Sequence, residues 1–187
     1  GGTTAVTVSC IVKIISWDSY AGVVGRENDA DTGSYWLVRA GSNDAFRWVV
    51  KTSTGLTYLD NIGGDFVYGE WYHMVGTYDG EYSRLYQDGV EIDSGARTGT
   101  LYDTPMALFF GAYDDGSGGA QGTRHITDGQ IADVRIWRRG LKASEVLDLY
   151  RDPFDLYRPA RPIIKYFYAA STFVPHSPQS DIILLDG

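Results

Sequence analysis

The stretch from Gly69 to Gly89, GEWYHMVGTYDGEYSRLYQDG, constrains the fold more than any other part of the chain. Trp71, His73, Val75 and Thr77 alternate with Tyr72, Met74, Gly76 and Tyr78, the period of two that sends successive side chains to opposite faces of a strand. Asp79-Gly80 breaks the run, because glycine supplies the positive φ of a tight turn. A second alternating run, Tyr82 to Gln87, ends at another such pair, Asp88-Gly89, and a third, Val90 to Asp93, follows at once. Strand, turn, strand, turn, strand spells an antiparallel meander.

The flanking chain reads the same way. Residues 3–15 (TTAVTVSCIVKII) are β-branched and alternating, and predict a core strand. Gly22 to Arg26 and Tyr35 to Arg39 predict a strand pair around the polar loop 27–33; Phe46 to Lys51 and Leu56 to Leu59 predict the next pair. Met106 to Ala112 predicts one further strand, residues 113–122 a glycine-rich surface loop, and Gly129 to Trp137 the closing strand. One helix is expected, Lys142 to Arg151, ended by Asp152-Pro153.

A chain of 187 residues can bury one two-sheet core, and 14 Tyr, 5 Trp and 23 Gly suit strands and turns. The net charge of −8 argues against nucleic acid, whose binding is driven by counterion release around a basic surface. Seven of the 16 basic residues nevertheless lie between Arg138 and Lys165. Cys10, the single cysteine, allows no intramolecular disulfide and reads as a buried small hydrophobe. No run reaches the roughly 18 apolar residues of a membrane helix, and no signal peptide is expected.

Trp71-Tyr72-His73-Met74-Val75, Thr77-Tyr78-Asp79-Gly80 and Leu85-Tyr86-x-Asp88-Gly89 resemble the central meander of the laminin-G-like/concanavalin-A-like jelly-roll superfamily. Gly129 to Trp137, then Arg139-x-Leu141 and Glu145, resemble its last core strand and short helix, which pentraxins share. The resemblance implies an all-β fold: an antiparallel two-sheet β-sandwich jelly roll with one short C-terminal helix, spanning residues 1–152. It also implies a short strand ahead of the first one here: either the fragment starts late or another segment fills that strand's place at the sheet edge, since an unfilled edge invites pairing with another chain. Lys142 stands where the family usually has Ser, so the helix cap is expected to be weaker by roughly 1 kcal/mol. Residues 153–187 form a Pro-punctuated aromatic extension, similar to the tail that follows this domain in phage-type sequences. Its apolar end, with Ile182, Ile183, Leu184 and Leu185, is a candidate assembly segment, folded back on its own domain or added to a neighbouring subunit.

Catalysis finds little support. Glu91-Ile92-Asp93 opens the Glu-x-Asp-x-x-Glu pattern of retaining glucanases, whose two carboxyls stand about 5 Å apart, but Ser94, Gly95 and Ala96 follow and the third acid is absent. His73, His125 and His176 are dispersed and supply no zinc site with one cysteine. Calcium is the candidate cofactor, since its oxygen ligands abound in two loops: Asn28, Asp29 and Asp31 in one, Asp114 and Asp115 in the other. In pentraxin-like members the corresponding loops ligate calcium; matching Gly111 puts Asp115 on an acidic ligand position and Tyr113 where those members have Glu. Tyr35, Trp36, Tyr113 and Trp17 are candidate sugar-stacking rings. The expected function is a non-enzymatic binding or adhesion module, glycan-directed and calcium-assisted, extracellular or displayed on a virion surface. The alternative is a structural virion protein, a capsid decoration or fibre subunit, self-associating through its C-terminal tail.

Overall fold

The computed structural model describes residues 4–26, 33–39, 44–61, 66–102, 107–114 and 123–154, and for residues 113, 114, 123–125 and 127 the backbone alone. The described residues fall within a compact unit, Gly1–Tyr157, with Arg158–Gly187 a second unit. In chain order the strands are β1 (Val6–Trp17), β2 (Gly22–Arg26), β3 (Tyr35–Arg39), β4 (Phe46–Thr52), β5 (Gly55–Asp60), β6 (Trp71–Tyr78), β7 (Tyr82–Gln87), β8 (Val90–Ala96), β9 (Phe109–Phe110), β10 (Ala112–Asp114) and β11 (Thr123–Trp137), followed by the helix α1 (Ala143–Arg151). They form a six-stranded sheet, β10-β11-β1-β6-β7-β8, and a five-stranded sheet, β5-β4-β3-β2-β9. Every neighbouring pair is antiparallel.

The alternation in β1 decides the layers. Val6, Val8, Cys10, Val12 and Ile14 are fully buried between the sheets with Met74, Tyr78 and Leu85 from the meander and Phe46, Trp48 and Val50 from β4. Trp48 lies over Gly76, where an added Cβ would stand 2.1 Å from the indole Cδ2, so only glycine fits that strand position. The meander turns follow their residues. Asp88 and Gly89 both have positive φ, 51° and 81°, the two-residue turn that matches strand twist. Asp79 instead accepts the amides of Glu81 and Tyr82 at 2.9 and 2.7 Å, closing a longer turn through its own side chain.

Residues 106–112 were expected to form one strand. Met106 lies outside the described residues, and the strand breaks at Gly111, whose φ of 74° turns the chain. Before it β9 pairs with β2; after it β10 pairs with β11, so this segment changes sheets. The closing strand begins at Thr123, ahead of the expected Gly129. Among the described residues only β10 flanks β11 on its outer side, over Thr123 to His125, and the inward Ile131, Val134 and Ile136 stay half-buried there.

The opposite side is closed by side chains. Arg97, after β8, donates through Nη2 to the Leu56 carbonyl and through Nε to Thr57 Oγ1 at 2.6 Å, while Asp93 accepts the Asp60 amide at 3.0 Å. These bonds occupy the Leu56 carbonyl and the Asp60 amide, backbone groups that the edge strand β5 would otherwise offer to another chain.

Helix α1 has Lys142 as N-cap, and Lys142 makes no side-chain cap bond. Glu145 accepts the Lys142 amide at 2.9 Å and pairs with Arg139 at 2.7 Å. Those two partners, Arg139 first, hold the Glu145 carboxyl down at about 2. No described helix is long and apolar enough to cross a membrane.

Candidate functional site

The outward residues of the six-stranded sheet form a second surface layer. Thr7, Ser9, Ile11 and Lys13 of β1 stand beside Thr77, His73 and Trp71 of β6, with Val75 opposite Ser9. On the other side they meet Trp137, Arg135, Ala132 and Gln130 of β11. Helix α1 covers one part of this face: Val146 and Leu141 pack on Val75 and Tyr86, with Trp137 and Leu149 beside them. Elsewhere on it is an open hollow of about 490 Å³ lined by Ile11, Trp71, Ala132, Asp133 and Phe154.

Each wall has a local cause. Trp71 opens β6 and is 46% exposed, with the Lys13 ammonium 5.4 Å from its ring centroid. Asp133 occupies a β-bulge, at φ 48°, where the β1–β11 register slips between Ser9 and Ile11. The bulge brings Asp133 to Arg135 at 2.7 Å, and Arg135 also donates to the Pro153 carbonyl. That bond ties the chain after α1 to β11 and leaves Phe154, 60% exposed, as the facing wall.

Beneath α1 lies a buried polar pair. His73 is 6% exposed; its Nε2 is 2.8 Å from Ser9 Oγ and its ring stacks on Tyr150 at 6.1 Å. Burial, the larger effect, holds its pKa down at about 4, Asp133 opposing and Arg135 assisting. The spacing is that of a nucleophile and its base, but Ser9 is equally buried and His73 Nδ1 has no hydrogen-bond partner to orient the ring. The pair is neutral packing under a helix.

Glu91 and Asp93 part company as well. A register shift between Leu85 and Tyr86 places them on different sides of β8. Glu91 lies 3.8 Å from Arg84 on the outer face, whereas Asp93 reaches the Asp60 amide in the other sheet. Two carboxyls so divided cannot flank one glycosidic bond.

Three of the four rings expected to stack on sugars, Trp36, Tyr35 and Trp17, are buried or half-buried. Trp36 is 3% exposed, in an apolar cluster with Val38 and Val49 on the outer side of the five-stranded sheet. Tyr35 is half-buried against the core, its ring 6.2 Å from Trp48, and burial raises its pKa. Trp17 is 7% exposed between Phe46 and Phe66. Tyr113 and Asp114 belong to β10, with backbone alone described. Asn28, Asp29, Asp31, Asp115 and Ile182 to Leu185 lie outside the described residues. Among the described residues no three His, Cys, Asp or Glu side chains converge as metal ligands.

The hollow went unnoticed in the sequence because its walls are far apart in the chain. A signal was present: Trp71 begins a strand whose other outward residues are covered, and tryptophan at a strand end has only its neighbours to shield it.

Two packed antiparallel sheets with a crossing strand and one short helix define a jelly-roll β-sandwich. Within that class the chain belongs to the concanavalin A-like lectin/glucanases superfamily, whose laminin-G-type family model matches residues 1–147. No curated protein matches the chain. Among solved structures it is similar to a putative carbohydrate binding protein from Bacteroides ovatus (14% identity, TM-score 0.60, 79% of this chain and 41% of that one). It is also similar to a heptameric SAP-like pentraxin from Limulus polyphemus (15%, 0.60, 80% and 70%). A third is domain 4 of an extracellular arabinanase from Geobacillus stearothermophilus, in complex with arabinotriose (19%, 0.58, 80% and 68%). The chain thus spans less than half the length of the first of these.

Proposed function

We propose that the chain is a non-enzymatic glycan-binding module and that its ligand rests in the hollow between Trp71 and Phe154. The observation that carries the reading is the half-exposed indole of Trp71 above an apolar floor, with the Asp133 carboxylate at its border. Pyranose C–H groups pack on an aromatic ring while hydroxyls need acceptors, so sugar sites combine such a ring with a few fixed polar groups. The carbohydrate-binding names of two structural neighbours support the same class of ligand. The separation of Glu91 from Asp93 favours binding over hydrolysis.

Titration calorimetry against neutral oligosaccharides, arabinotriose and β-glucan fragments among them, tests it. Trp71→Ala should weaken binding by about 2 kcal/mol, some thirtyfold in Kd, without lowering Tm. Parent-like affinity in that variant overturns the reading. Calcium assistance through Asn28, Asp29, Asp31, Asp114 and Asp115 is part of the proposal, and repeating the titrations with a chelator tests it: unchanged affinity ends it.

A further inference from the structure

The hollow is apolar apart from Asp133, and the Lys13 ammonium stands over the Trp71 ring that walls it; we infer that it takes an anionic pyranose, a sugar ring bearing a carboxylate, with the ring on Trp71 and the carboxylate on Lys13. This rests on the glycan-binding reading above and narrows its ligand class.

Lys13 is a cation of this face with no carboxylate partner among the described residues. The other cations there are held: Arg135 by Asp133 and the Pro153 carbonyl, Arg84 by Asp79, Arg139 by Glu145. His73 is neutral, its pKa held near 4. An ammonium has three donors and no acceptor, so Lys13 keeps donors open at the rim. Gln130, its cross-strand partner on β11, adds an exposed amide at the same end.

The opposite end accepts rather than donates. Asp133 lines the hollow, and its charge is already opposed by Arg135 at 2.7 Å. Its remaining lone pairs can take sugar hydroxyls without adding net negative charge. Three positions along β11 separate Gln130 from Asp133, about 10 Å at about 3.3 Å per residue. A uronic-type ring has the matching polarity, with the carboxylate on one edge and hydroxyls on the other. Between the two ends the floor is Ile11 and Ala132, apolar side chains on which the C–H face of a ring can rest. The chain as a whole carries −8, so an anionic ligand gains nothing at long range and discrimination resides in contact with Lys13.

The experiment uses the methyl glycosides of glucuronic and galacturonic acid, each beside its methyl ester and its parent hexose, at fixed near-physiological ionic strength. Esterification removes the charge and leaves the ring. At least one acid should bind about tenfold more tightly than its own ester and hexose. Lys13→Gln should abolish that preference, bringing the acid's affinity down to that of its ester, with Tm unchanged, and Lys13→Arg should restore it. Equal affinity for acid and ester, or a preference that survives Lys13→Gln, overturns the inference while glycan binding stands. Failure of every sugar to bind overturns both.

Discussion

His73 shows how one residue reports on the layer above it. The ring is enclosed by Ser9 and Ile11 on β1, Tyr150 on α1, and the Asp133–Arg135 pair on β11, with its own amide bonded to Asp88 at 2.9 Å. Burial outweighs the one charge that favours a second proton, Asp133, which Arg135 already pairs; Ser9 can accept from Nε2, but Nδ1 faces no acceptor. The folded pKa of about 4 lies below the free value of 6.5, so between those values the unfolded chain binds the extra proton and the native one does not. Stability is therefore whole above about pH 6.5 and falls as the pH drops towards 4, by roughly 3 kcal/mol from this group. Urea midpoints measured from pH 7 to pH 4 should show that slope in the parent and a flatter one in His73→Gln, which keeps a partner for Ser9. Equal slopes would remove His73 from the account.

Strands and helix were legible in proportion to how local their causes are. β2 and β3 match the expected spans because two apolar runs flank a polar loop, and the Asp88-Gly89 turn follows from two residues that tolerate positive φ. The break at Gly111 was not legible, since Phe109 to Tyr113 continues the strand pattern and only the requirements of two sheets turn the chain there. The bulge at Asp133 was hidden for the same reason: it is a two-against-one mismatch with β1, invisible in either strand alone. With it went the hollow, because Trp71, Ile11, Asp133 and Phe154 meet only through pairing. The glucanase-like Glu91-Ile92-Asp93 misleads by the same mechanism, its period of two cancelled by a register shift. The sheet switch can be tested through backbone strain. An added Cβ at Gly111 would meet Ile131 Cδ1 at 3.7 Å, an ordinary contact, so Gly111→Ala acts through φ alone. It should cost about 1–2 kcal/mol and lower Tm by roughly 2–8 °C. An unchanged Tm would mean the turn at 111 is not held in that conformation.

At the scale of the molecule, a sandwich of two open sheets has to answer for its edges. One side is crossed by the strand that changes sheets at Gly111. The other is answered by side chains, and Arg97 carries most of it. Its guanidinium reaches the Leu56 carbonyl, Thr57 Oγ1 and the Thr54 carbonyl, three partners on or just before β5, which has no further neighbour in its sheet among the described residues. A lysine could meet one of these but not all, since only the planar fork presents several donors in fixed directions. Removing it uncovers carbonyls that another strand can pair with, beside the exposed ring of Tyr58. Arg97→Ala should therefore raise the mass measured by light scattering with increasing concentration, relative to the parent under the same conditions, and lower stability by about 1 kcal/mol. Arg97→Lys should fall between the two. If Arg97→Ala keeps the parent's mass at every concentration, the edge is closed by something other than this side chain, and the three bonds serve stability alone.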